Sequence, residues 1–380
     1  MNKKIIALLG ACLILLSACG NVTNTNTETN SDSSKGTEKV TKTQLSKDYY
    51  RVVMKNDKEY QTSPSRGVSL SLNSGYNMKA FESGLIGLSQ TPFPTDNNYF
   101  REGQLIDSAT AKSWIGRKAE VEDPNSSAGP NGLNPPDNGQ IEPDTRAPRY
   151  LAQILEQNYM VKDGDNYKLS GVSIGLALNS VDYYQKVLYG AEFQTPISRA
   201  DFEAKGKEIA NEVVARLRKK DGMGNVPIMV ALFEQSAKDT LAGGVYFASA
   251  MSENGSTTVG EWSAINDQKI IFPNNDGKSS EEKTNFDNFK NSIQSFFPNL
   301  SGVTAEAYYQ NNQLSKMAIK ITTQFYGESE IISFTQFIAD KTSLLPATIP
   351  IEITVNSMEG IEAFLSRDAN TTEFKYHIFD

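Results

Sequence analysis

SRADFEAKGKEIANEVVARLR, Ser198 to Arg218, leads through a short turn into VPIMVALF, Val226 to Phe233, and from this pair the fold can be read. Ser198-Arg199-Ala200-Asp201 has the spacing of a capping box, so the Ser198 hydroxyl can accept from an amide that the first helical turn leaves unpaired. Phe202, Ile209, Val213 and Leu217 then recur on one face. Arg216, Arg218, Lys219 and Lys220 gather where the helix dipole favours cations, and Asp221-Gly222 stops the helix. The apolar stripe is a core face, not a cofactor site. Upstream, GVSIGLAL (Gly171 to Leu178) alternates like a strand; downstream, Val245 to Ala250 is another. Strands alternating with amphipathic helices predict sheets covered by helices on one face. The direct step from Phe233 to Val245 argues for mixed or antiparallel pairing, so the class is α+β.

This order of elements is stated twice. The first pass is read as a helix over Tyr150–Tyr159, the Gly171 strand, the Ser198 helix, the Val226 strand and the Val245 strand. The second is read as a helix over Phe286–Phe297, a strand over Lys316–Thr323, a helix over Ile331–Leu345, and strands over Ile349–Val355 and Glu373–Phe379. The best matches are Leu169-Ser170 with Leu314-Ser315, and Val226-Pro227-Ile228 with Ile349-Pro350-Ile351. The offset shrinks between the two pairs, which puts extra residues of the first copy in the Asp182–Pro196 loop. Two tandem related α+β repeats are expected, the first over 47–262 with an N-terminal extension and the second over 263–380.

The extension holds a helix through Met78, Phe81, Leu85 and Leu88, stopped by TPFPTD, and a helix over Ser108–Ile115 that carries Trp114. EDPNSSAGPNGLNPPDNGQIEPD, in the Glu122–Arg149 stretch, is expected to be a mobile loop. Asp163-Gly164-Asp165-Asn166 reads as a hairpin turn, because it lacks the glycine position and terminal glutamate of a calcium loop. Asn275-Asp276-Gly277-Lys278 reads as another turn.

The chain opens with Lys3, Lys4, an apolar run from Ile5 to Leu16, and Leu16-Ser17-Ala18-Cys19. A run this short suits a signal-peptide core; a spanning helix needs ~20 apolar residues. Leu16, Ser17, Ala18 and Cys19 look like a lipobox, with cleavage between Ala18 and Cys19 and lipid on the cysteine sulfur. Residues 1–18 would be the leader. Residues 19–46, rich in Asn, Thr, Ser, Glu and Lys, would be the lipidated cysteine and a disordered tether. The expected place is the extracellular face of the cell membrane, with the acyl chains as anchor.

Of 380 residues, two are Cys and one is His, and the formal charge is −8. Cys12 leaves with the leader and Cys19 is spent on lipid, so no disulfide is expected. An acidic chain does not neutralise phosphates, which argues against nucleic acid. His377 stands in a terminal strand, a catalytic triad would have to be built on it alone, and zinc lacks ligands. No phosphate-binding glycine loop precedes a helix, and no cofactor is implied. Trp114 and Trp262 default to packing. Paired carboxylates cannot be located from sequence among 45 acidic residues.

GLIGLSQTPFPTDNNYFREGQLID (Gly84 to Asp107), GLNPP, YLAQILEQNY, GVSIGLALNSVDYY, GKEIANEVVARLR and GEWSAIND stand in this order. In these segments the chain resembles the CamS family, sex-pheromone lipoproteins of low-GC Gram-positive bacteria, over nearly its whole length. The resemblance implies that the apolar end of the cleaved leader is released as a peptide inducing conjugative plasmid transfer. In this sequence that peptide is Cys12-Leu13-Ile14-Leu15-Leu16-Ser17-Ala18. It differs from the family pattern in Cys12 at its first position and Ser17 near its end. It implies lipoprotein-processing enzymes and a donor-cell pheromone receptor as partners, a duplicated body, and no catalytic residues. The residues alone leave open a solute-binding lipoprotein of an importer and a carboxylate-based envelope hydrolase.

Overall fold

The computed structural model describes residues 38–55, 58–66, 68, 72–122, 128–274, 280–296 and 302–379. The leader, Cys19, most of the expected tether and the Asn275–Lys278 turn lie outside them. The end of that tether is instead a strand: β1 (Glu38–Val40) pairs with β2 (Arg51–Lys55), and Thr41 continues the ladder by donating to the Val52 carbonyl (3.0 Å). Thr37–Asp380 forms one compact unit.

In the first half, β2 is flanked by the short β3 (Glu59–Tyr60), followed by α1 (Gly75–Ser89), β4 (Tyr99–Glu102), α2 (Ser108–Ile115), β5 (Leu151–Asp163) and β6 (Asn166–Asn179). A small hairpin, β7 (Val181–Gln185) with β8 (Glu192–Pro196), precedes α3 (Arg199–Leu217), β9 (Ile228–Gln235), β10 (Val245–Ser252) and β11 (Ser263–Ala264). These strands make a nine-stranded sheet ordered β1-β2-β4-β5-β6-β9-β10-β11, with β3 on β2. In the second half, β12 (Gln268–Phe272), α4 (Glu281–Phe296), β13 (Gly302–Gln310), β14 (Gln313–Thr322), α5 (Glu328–Lys341), β15 (Ile351–Asn356), β16 (Ile361–Arg367) and β17 (Lys375–Ile378) give a six-stranded sheet in simple chain order. The class is α+β. The mostly antiparallel pairing departs from the parallel lobes that a solute-binding lipoprotein would need.

The duplication is visible in topology. β4-α2-β5-β6-α3-β9-β10-β11 and β12-α4-β13-β14-α5-β15-β16-β17 share element order, sheet order and every strand direction. In each, a helix crosses between the parallel pair, β6 with β9 and β14 with β15. Finer features repeat too. Val172 donates to Pro227 O (3.0 Å) as Met317 does to Pro350 O (3.2 Å), at the pair of matching Pro segments. Ser170 Oγ donates to Tyr159 O (2.9 Å) as Ser315 Oγ does to Tyr308 O (3.1 Å). A β-bulge follows Tyr159 in one copy and Tyr308 in the other. The β7–β8 hairpin is the insertion, and among the described residues it has no counterpart in the second copy.

Two expectations for the first sheet fail. Tyr150–Tyr159 is not a helix but the start of β5, matched by β13; the partner of α4 is α2. The apolar spacing misleads because β5 is buried on both faces, so it has no clean alternation. The first sheet is also covered on both sides. Ile154, Ile174, Leu176, Val230 and Phe247 pack under α2 and α3, while Ala177, Ala231, Phe233 and Tyr246 pack under α1. The second sheet carries α4 and α5 on its apolar face, over Phe286, Phe289, Phe334, Ile319, Ile353 and Leu365.

The Glu122–Arg149 stretch is expected to be mobile, yet its described part is fastened down. The buried Asn134 amide donates to Ile115 O (2.8 Å) and Leu151 O (2.9 Å). Its oxygen accepts from the Tyr150 and Leu151 amides, both at 2.8 Å. Arg117 donates to Pro135 O and Ala147 O (3.0 and 2.7 Å). A backbone without a ladder thus borrows side chains to satisfy its polar groups.

Candidate functional site

The residues named from sequence do not converge on a site in the body. Cys12, Leu13, Ile14, Leu15, Leu16, Ser17, Ala18 and Cys19 lie outside the described residues. His377 is exposed on β17, its ring edge-on to Phe379 (4.6 Å). Trp114 is buried in the core, with Arg216 over its ring (5.1 Å), so it offers no face for a sugar. Asp163 and Asn166 close the β5–β6 hairpin. Among the described residues no cluster of metal-ligating side chains forms, and no helix is long and apolar enough to cross a membrane.

What the fold does build is a cavity of about 230 Å³ beneath α1, over the β4–β5 side of the first sheet. Ser74 caps α1 by accepting from the Asn77 amide (3.3 Å). Asn77 is itself buried, and its oxygen accepts from Ser236 N (3.0 Å) and Gly244 N (2.8 Å), pinning the helix to the β9–β10 connection. Phe81 and Leu85 then face the core. Met78, Glu82 and Ile86, one helical turn apart, line the cavity beside them. From the sheet, alternate β5 residues Gln153, Leu155 and Gln157 form the floor together with Phe100 of β4.

One end of the cavity is polar. Glu102, at the end of β4, accepts from Tyr60 Oη (2.8 Å), Arg66 Nη2 (2.6 Å) and the Ser63 amide (2.6 Å). The 60–66 segment is thereby clamped to the end of β4 as part of the cavity wall. Glu82 stands at the mouth; burial raises its carboxyl above the ordinary range, Arg66 offsets part of this, and Glu102 adds to it. Gln153 is buried and its side-chain oxygen has no hydrogen-bond partner. Gln157 is engaged at both ends of its amide, donating to Glu82 O (3.2 Å) and accepting from Tyr159 Oη (3.1 Å).

Glu156 braces the site from the opposite face of β5. Its carboxylate accepts from the amides of Gln104 (2.9 Å), Leu105 (2.9 Å) and Ile106 (2.8 Å), holding the turn between β4 and α2. Burial pushes its pKa up against the pull of those three amides. Gly103 is required here, because an added Cβ would sit 2.4 Å from Glu156 Cβ.

Sequence reasoning missed this cavity because its members come from four separate segments and match no motif. One signal was present: a second ridge on α1, Met78–Glu82–Ile86, in which a single glutamate interrupts apolar residues.

Comparison with known proteins places the chain. The family described as CamS sex pheromone cAM373 precursor matches residues 60–373. The crystal structure of a sex pheromone precursor from Lactobacillus salivarius subsp. salivarius UCC118 is 37% identical, covering 90% of this chain and 99% of that one, with a TM-score of 0.84. The C-terminal domain of the sex pheromone staph-cAM373 precursor from Staphylococcus aureus is 26% identical, covering 81% of this chain and 98% of that one, with a TM-score of 0.67. No curated protein matches.

Proposed function

Because the chain belongs to the family of CamS sex pheromone cAM373 precursors, we propose that it is a lipoprotein precursor with two products. Lys3 and Lys4 lead the apolar run into the export path, and the cut falls between Ala18 and Cys19. The body stays on the extracellular face of the membrane through diacylglycerol on Cys19. The residue that carries this reading is Cys19 at the end of Leu16-Ser17-Ala18, because its thiolate is the nucleophile that lipid transfer needs. One acyl chain holds a protein only marginally, whereas two hold it firmly.

The other product is the peptide Cys12–Ala18, trimmed from the leader by the processing enzymes and released. It is uncharged along its side chains, so a donor-cell receptor would bind it by burying apolar area. The repeated body is a non-catalytic binding module whose site is the cavity beneath α1. Mass spectrometry of the cells and their medium tests both halves. A diacylated Cys19 and a short apolar peptide outside the cell are expected. An unlipidated body ends the first half, and a leader found only as full-length or degraded fragments ends the second.

A second reading has one observation in its favour. Glu82 and Glu102 line one cavity and the Glu82 carboxyl is raised, as a carboxylate hydrolase would require. Against it, three donors engage Glu102 and leave it poorly placed to act as base or nucleophile. Cell-wall glycan hydrolysis that disappears in Glu82→Gln would replace the binding reading.

A further inference from the structure

We infer that the cavity beneath α1 takes the free amino end of an apolar peptide. This rests on the reading of the body as a binding module and names the ligand class of that same site.

The argument begins with hydrogen bonds already made. Three donors at the polar end, Tyr60 Oη, Arg66 Nη2 and the Ser63 amide, are directed at Glu102. Two acceptors in the lining stand out: the Glu82 carboxylate at the mouth makes no ion pair with a described residue, and the Gln153 oxygen in the wall is buried without a partner. A ligand that satisfies them must bring donors. The charges agree: with Glu156 turned to the 104–106 amides on the opposite face of β5, Glu82 and Glu102 face the Arg66 guanidinium, and a single positive charge would balance these three. A primary ammonium supplies three donors and that charge on one atom.

The rest of the wall is Met78, Phe81, Ile86, Phe100 and Leu155, which suits an apolar body next to the ammonium. A cavity of about 230 Å³ falls below the ~300–1,000 Å³ that encloses a drug-sized molecule, so it receives one end of a longer ligand. An apolar peptide with an unblocked N-terminus has this chemistry. The released segment Cys12–Ala18 would be one such peptide, and other apolar peptides with free amino ends would be the alternative source.

The test uses the mature chain in lipid nanodiscs, with empty nanodiscs subtracted, titrated with C-terminally labelled synthetic peptides. The peptides are CLILLSA, the same peptide N-acetylated, and a scrambled apolar heptapeptide with a free amine. The free-amine peptides should bind, N-acetylation should weaken binding at least tenfold, and Glu82→Gln should weaken the free-amine peptides while leaving the acetylated one unchanged. Glu82 lies at the exposed mouth, so that variant keeps the fold; Gln153→Leu provides the buried counterpart. CLILLSA binding more tightly than the scrambled peptide assigns the source to the leader, and equal binding assigns it to apolar peptides at large. Equal binding of acetylated and free forms, or no binding by any peptide, overturns the inference. The anchor and the released peptide, read by mass spectrometry, stand or fall separately.

Discussion

Asn134→Ala tests whether the long Pro- and Gly-rich connection is a structural part of the first repeat. Asn134 is buried, and its side chain makes all four hydrogen bonds open to an amide: two donated to Ile115 O and Leu151 O, and two accepted from the Tyr150 and Leu151 amides. Each such bond contributes ~0.5–1.5 kcal/mol net, so removing the group costs roughly 3–4 kcal/mol once some water enters the gap. Total stabilities of about 5–15 kcal/mol make that a large fraction. Asn134→Asp keeps the shape but turns two donors into an anionic oxygen facing two carbonyls, and should cost at least as much. The assay is urea unfolding followed by Trp114 fluorescence in a Trp262→Phe background. Trp114 is well placed to report, since its carbonyl accepts from the Leu133 amide (2.9 Å), next to Asn134 in the chain. A loss below ~1 kcal/mol for Asn134→Ala, or an Asp variant more stable than the Ala one, would refute the reasoning.

Burial favours the neutral form of Glu82 in the folded state, so its stabilising contribution is full below the ordinary glutamate pKa and is lost as pH rises through the raised value. Glu82→Gln should therefore raise the melting temperature at neutral pH and leave it unchanged in acid; equal shifts at both would contradict this. Tyr189 sits at φ 62° and is 91% exposed, while the other non-glycine residues at positive φ among the described residues are all Asn. A bulky residue in that region costs about 1–2 kcal/mol, so Tyr189→Asn should raise the urea midpoint by the equivalent of ~1 kcal/mol, and a lower midpoint would count against it. Gly103→Ala forces the end of β4 away from Glu156 and should destabilise by about 1–3 kcal/mol. Hydrogen exchange at the amides of 104–106 should quicken with it; unchanged protection would show that the turn tolerates a Cβ.

The fold was legible wherever one face of an element was apolar and the other polar. Phe202, Ile209, Val213 and Leu217 announce α3, and all four are buried. Ser108–Ile115 is a helix as read. The failures have physical causes. β5 lies between α1 and the α2–α3 layer, so burial on both faces erased its period of two. In β13 the inward residues after Val303 are Ala305 and Ala307, too small to stand out as an apolar pattern. The two sequence matches were sound despite this, because both lie at the same register of the repeated sheet, where a serine hydroxyl and a proline carbonyl do the same task twice. Asn134 could not be told from any loop asparagine, since its partners are backbone groups. The cavity was invisible for a similar reason: Tyr60, Arg66, Glu82, Glu102 and Gln153 meet only after the sheet has formed.

Among the described residues the nine-stranded and the six-stranded sheet each come from one half of the chain, with the break between Ala264 and Gln268, and neither borrows a strand from the other. A chain emerging amino end first can therefore close its earlier half while the later one is still inside the ribosome. Nascent edges stay unpaired only as long as it takes to thread one copy. Moving β17 to the front by circular permutation would strand that edge until the very end of synthesis.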